Sequence, residues 1–226
     1  MKNEASFNEA VRLFKGKRYE AALKEFLDLR AEEGEYSDLS YYLGLCYTHL
    51  EKYDKALLYL EQVVASEAGL IHLYQGRMLL GVIYAITRRY RLAEFEFRKL
   101  LDSGYESAKV YSALAYTLFL QKRADESIAC LEKALDLESD NANALNSLGF
   151  ILAEQNKRLG TALKYCERAV EKNPRNSAYI DSLGWVHYRI GNYKDARVLL
   201  RKALEYSPRN REIIAHLKTV VEAMEK

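Results

Sequence analysis

Few residues that break helices, and few that build reactive sites, occur in this sequence. Proline occurs twice and glycine 11 times in 226 residues, as expected of a nearly all-helical chain with short turns. The three cysteines, Cys46, Cys130 and Cys166, are an odd number, far apart, with no Cys-x-x-Cys pair. That spacing indicates neither a zinc site nor a disulfide framework, and the three read as core packing. The longest mainly apolar run without a charge is about Val110 to Leu120, well short of the roughly 18 residues a membrane span needs. A net charge of +2 gives no global field to draw in nucleic acid or acidic lipid. The start, Met-Lys-Asn-Glu-Ala, has no apolar stretch resembling a secretory signal. The expected location is cytoplasmic if Met1 is the native start, with a periplasmic or envelope-associated place the alternative where an upstream signal segment has been removed.

Chemistry is equally sparse. His49, His72, His187 and His216 show no metal-ligand spacing, and His187 reads as a hydrogen-bonded packing residue. There is no glycine-rich phosphate loop, and no Ser, Cys or Thr stands in a recognisable nucleophile context. The expectation is a protein that is not an enzyme and has no metal or cofactor.

What is present is a repeat. Apolar residues make up 49% and charged residues 29% of the chain, which suits a folded soluble protein. Between Ala178 and Pro208, the positions Leu183-Gly184, Gly191, Tyr193, Ala196, Leu200, Ala203 and Pro208 fall at the offsets of a helix-turn-helix unit about 34 residues long. Stepping back by that period finds Leu148-Gly149, Leu114-Ala115, Leu80-Gly81, Leu43-Gly44 and, most worn, Glu9-Ala10. A second small position runs Ala22, Ala56, Ala93, Ser127, Ala162 and Ala196; a third runs Leu29, Val63, Leu100, Ala134, Ala169 and Ala203. Six repeats result, approximately 3–36, 37–73, 74–107, 108–141, 142–176 and 177–210. A terminal helix over 211–225 follows, with Ile213, Leu217, Val220 and Met224 on one face to cover the last repeat. The period is interrupted twice. Three extra residues near 66–73 suggest loop variation or a bend at Gly69, and one extra residue falls in the turn at 156–160.

These residues resemble the tetratricopeptide repeat, most closely in Asn143 to Pro208, where the chain is similar to tandem units common in bacterial proteins, some of them envelope-associated. The likeness departs from the pattern where its Trp would stand, at Ser6, Ser40, Arg77, Tyr111, Leu145 and Ile180. It implies an all-α fold, a right-handed α-α superhelical solenoid of six repeats with a capping helix, filling residues 1–226 as a single domain. It also implies a non-catalytic scaffold or adaptor that holds a segment of another protein in a concave groove lined by the first helix of each repeat. Carried over by offset, the groove is apolar throughout and aromatic in its C-terminal half. Its partner-binding residues are expected to be Tyr116, Phe119, Asn146, Phe150, Asp181, Trp185, Tyr188 and Arg189, with Trp185 either an anchor or a structural residue packed on the terminal helix or on Phe150.

The carboxylate-clamp ligands of some family members are not expected, because Phe7 and Val11 stand where a Lys and an Asn would be. Nucleic acid is not expected, because RNA-reading relatives need a polar, basic groove. The basic residues Lys194, Arg197, Arg201, Lys202, Arg209 and Arg211 read as a solvated outer face. Two alternatives stand beside the adaptor: self-association through the groove or through Phe7 and Phe14, and a non-catalytic subunit of a bacterial envelope or transport complex.

Overall fold

Side-chain caps set the phase of the helices in the C-terminal part of the chain. Ser107, Asn141, Asn176 and Asn210 recur every 34 or 35 residues, and each accepts a backbone N–H of the next first turn, from Val110 at 3.3 Å, Ala144 at 3.0 Å, Ala178 at 3.0 Å and Glu212 at 2.9 Å. These bonds satisfy donors that a helix start leaves open. Pro174 and Pro208 lie two residues before their caps, where a missing N–H ends the preceding helix without cost.

A computed structural model describes residues 2–29, 36–66 and 69–225 and shows, among them, thirteen α-helices and no strand. The chain divides into two compact units, Met1–Glu106 and Ser107–Lys226. The first holds α1 (Lys2–Lys15), α2 (Tyr19–Asp28), α3 (Tyr36–His49), α4 (Tyr53–Ala65), α5 (Leu70–Ile86) and α6 (Tyr90–Asp102). The second holds α7 (Ala108–Leu120), α8 (Ala124–Leu137), α9 (Ala142–Glu154), α10 (Leu159–Lys172), α11 (Ser177–Ile190), α12 (Tyr193–Tyr206) and α13 (Arg211–Met224). Within each unit the helices pack as successive hairpins, each second helix also packing on the next hairpin, and α13 closes the second unit against α11 and α12. The all-α helical-repeat class expected from the sequence is the one observed. Of the 66–73 segment, residues 67 and 68 lie outside the described residues, and the division between compact units falls after Glu106.

The repeated small residues are where the helices cross. Ala22, Ala56, Ala93, Ser127, Ala162 and Ala196 are all fully buried, and so are Phe26, Leu60, Leu131, Cys166 and Leu200 at the offset four residues on. Ser127 is tolerated there because its hydroxyl donates to the Ala115 carbonyl at 2.7 Å, leaving no polar group unpaired in the core. A side chain on Gly149 would place its Cβ 2.5 Å from Cys166 Sγ and 2.9 Å from the Ala162 carbonyl oxygen, so α9 and α10 can approach only across a glycine. Burial pushes the thiols of Cys46 and Cys166 up to about 12, which fits their reading as core residues. Cys130 is half-buried.

Each hairpin turns through one left-handed residue: Lys17, Glu51, Arg88, Lys122, Asn156 and Gly191. The extra residue in the fifth repeat appears as a second left-handed position, Arg158, at φ 45°. In the first unit the aromatic residues largely satisfy one another. Phe7 packs edge-on to Phe26 and Tyr42, and Phe14 contacts Tyr19, Tyr42 and His49. Where the family pattern has Trp, Arg77 instead pairs with the buried Glu96 at 2.7 Å.

Candidate functional site

The first helices α7, α9 and α11 of the second unit bring their exposed faces together, because residues four apart on one helix share a face. Tyr116 and Phe119 come from α7, Asn146 and Phe150 from α9, and Asp181 from α11. All five line one cavity of about 510 Å³, closed at its edge by Glu212 of α13. Leu120, Ser147, Ile151, Ala178 and Ser182 complete the lining. Phe119 and Phe150 meet edge to face with centroids 6.2 Å apart, while Tyr116 stands 59% exposed. Asn146 Oδ1 is buried and meets no hydrogen-bond donor among the described residues.

The other three expected groove residues do not line this cavity. Trp185 is 9% exposed and lies beneath α13, its ring stacked on His216 with centroids 4.2 Å apart and planes 23° from parallel. Its indole Nε1 donates to Glu154. Tyr188 packs against Trp185 on one side and Tyr193 on the other, at 4.8 and 5.7 Å. Arg189 is half-buried on the same helix. Of the two readings open for Trp185, the geometry matches packing on the terminal helix.

His216 is the residue that sequence reasoning passed over. It sits three residues after Ile213, at the edge of the apolar stripe of α13, and its Nδ1 donates to Asp181 Oδ1 at 2.9 Å and Oδ2 at 3.1 Å. Burial works against its protonation. The hydrogen bond and charge of Asp181, joined by the charges of Glu212 and Glu154, outweigh that and hold His216 above the ordinary histidine value. Its ring also approaches Phe150, at 6.2 Å. Asp181 therefore serves two neighbours: it lines the cavity and anchors the terminal helix. The signal for this was a His one turn along from Glu212 on a helix otherwise read only for its apolar stripe.

His187, expected to be hydrogen-bonded, has a buried Nδ1 without such a bond, and its nearest carboxylate, Asp195 Oδ2, is 3.9 Å away. The basic residues Lys194, Arg201, Lys202, Arg209 and Arg211 are exposed. A second depression, more open and about 610 Å³ in volume, lies between the start of α12 and the end of α13, with Tyr193 and Met224 as its large apolar groups and Lys194 beside Asp195. It lacks the converging aromatic rings of the first. Among the described residues no helix is long and apolar enough to cross a membrane.

Helical hairpins stacked so that their first helices present side chains to one cavity define a class of protein-binding scaffold. The chain belongs to the tetratricopeptide repeat family. Family profiles described as "Tetratricopeptide repeat" match residues 7–69 and 178–210, and one described as "TPR repeat" matches 115–156. It is 40% identical over 108 residues to the TPR repeat-containing protein PA4667 of Pseudomonas aeruginosa, covering 46% of this chain and 18% of that one. It is 26% identical over 238 residues to the TPR repeat-containing protein MJ1428 of Methanocaldococcus jannaschii, covering 97% of this chain and 39% of that one. The chain thus spans well under half the length of either relative. Among solved structures it resembles YrrB, described as a TPR protein with an unusual peptide-binding site, at TM-score 0.61 and 18% identity over 88% of this chain and 97% of that one.

Proposed function

We propose that the protein is a non-catalytic adaptor that takes a segment of a partner protein into the aromatic cavity of its second unit. One observation carries this reading: five residues from three different helices, each assigned to the groove by repeat offset, converge on a single cavity. Burying an apolar side chain there is worth roughly 1.5–3 kcal/mol. Phe119 and Phe150 supply the apolar walls, and the half-buried Asn146 supplies a polar side chain among them. The ligand class agrees with the peptide-binding site in the description of YrrB. Trp185 and Tyr188 are left out of the anchors in this reading, because Trp185 stacks on His216 of α13 and Tyr188 packs on Trp185 and Tyr193.

The test is selection of binding peptides from a displayed random library against the whole chain, followed by affinity measurement with Phe150→Ala and Tyr116→Ala. Truncating a central aromatic anchor costs about 2 kcal/mol or more, so affinity should fall about 30-fold for Phe150→Ala. Unchanged affinities in both variants, with helix content intact by circular dichroism, would place the binding surface elsewhere.

A further inference from the structure

The cavity of the second unit carries charge of one sign. Its formally charged lining residues are Asp181 and Glu212, and no Lys or Arg lines it. Directly behind it, Glu154 accepts the indole N–H of Trp185 and joins Asp181 and Glu212 in acting on His216. Three carboxylates face one histidine, so the local charge stays negative whichever form His216 takes. Asp181 is committed to His216. Glu212 is exposed and makes no ion pair among the described residues, while its backbone N–H is held by the Asn210 cap. Beside these carboxylates stand the rings of Tyr116, Phe119 and Phe150.

Resting on the proposed reading of the cavity as a peptide site, we infer that its occupant is a partner-protein segment presenting an arginine side chain next to an apolar residue. Aromatic faces and a free carboxylate around one cavity are complementary to a guanidinium. That group is planar and weakly hydrated, stacks over aromatic rings, and offers a fork of donors that matches a carboxylate. Tyr116 supplies the open ring face and Glu212 the carboxylate. The neighbouring apolar side chain rests against the contacting rings of Phe119 and Phe150, and the half-buried side chain of Asn146 is the polar group beside it. Lysine satisfies the charge but, as a compact, strongly hydrated cation, gains less from the rings. An acidic segment is repelled.

The probes are fluorescein-labelled peptides Gly-Leu-Xaa-Leu-Gly, with Arg, Lys, Gln or Glu at Xaa, titrated with the whole chain and read by fluorescence anisotropy. The Arg peptide should bind at least tenfold more tightly than the Gln peptide, the Lys peptide in between, and the Glu peptide most weakly. Glu212→Gln should remove most of the Arg preference, bringing the ratio of Arg-peptide to Gln-peptide affinity towards one. Added salt should weaken the Arg peptide and not the Gln peptide, which checks the charge term without a variant. Phe150→Ala should weaken both. If the Arg and Gln peptides bind equally and both depend on Phe150, the arginine assignment falls and the cavity reading stands. If no peptide binds, or binding ignores Phe150→Ala, both fall. If the chain self-associates in light scattering and Glu212→Gln abolishes it, the occupant is a second copy, and the assignment to a partner protein is overturned.

Discussion

At the residue scale, Trp185 and His216 decide how the C-terminal end of the groove is built. Trp185 is the single tryptophan of the chain, and its offset places it among residues that face a groove. It faces α13 instead because His216 offers a flat ring at stacking distance and Glu154 takes its N–H. Protonated, His216 pairs with Asp181 as an ion pair; neutral, it keeps only the hydrogen bond. The pKa of His216 in the folded protein is raised above its unfolded value of about 6.5. Its contribution to stability is therefore fully present below that unfolded value and is lost as pH rises through the higher folded value. Urea unfolding of the second unit, followed by Trp185 emission, should show a midpoint that is highest below about pH 6.5 and declines as pH rises above it. His216→Gln should lower the midpoint at pH 6 and flatten its decline. An equal decline in that variant would assign the pH dependence to other groups.

At the element scale, α13 is both a cap and a wall. Its apolar stripe was legible from Ile213, Leu217, Val220 and Met224 alone. Ile213 and Val220 are buried against Ile180, Ala196, Leu200 and Ala203, with Leu217 and Met224 packed beside them. A terminal repeat with its apolar flank open would be an aggregation-prone surface, so this helix is needed for the last hairpin to stand in water. Truncating a fully buried Ile leaves a cavity as well as lost transfer energy, and Ile213→Ala should cost roughly 2–5 kcal/mol in chemical denaturation. A loss below about 1 kcal/mol would show that α13 rests only loosely on α11 and α12. Its other edge was not legible. His216 meets Asp181, 35 positions earlier in sequence, and feels the charge of Glu154, further back on α9, and no periodicity within α13 names those partners.

At the scale of the whole molecule, the chain forms two compact units, and every residue of the candidate cavity belongs to Ser107–Lys226. The second unit contains its own caps at Ser107, Asn141, Asn176 and Asn210. Residues 107–226 produced alone should therefore remain helical and bind the Arg peptide within about threefold of the whole chain, consistent with stability in such arrays being a sum over neighbours. Lost binding in a folded fragment would mean that the first unit contributes to the site. The sequence by itself determined the repeat, its period and its buried positions. Small residues at Ala162 and Ala196, and glycines such as Gly149, are demanded wherever two helices cross closely, and this contact lies within one hairpin and recurs at fixed spacing. The same offsets named Tyr116, Phe119, Asn146, Phe150 and Asp181 as facing one side. Only the tertiary structure decided which of the expected groove residues stay open. That depends on how α13 lies over α11, and hence on where the His216 ring comes to rest, a contact between helices that no repeat unit contains. Trp185 thereby came to lie under the terminal helix, and Glu212 at the edge of the cavity.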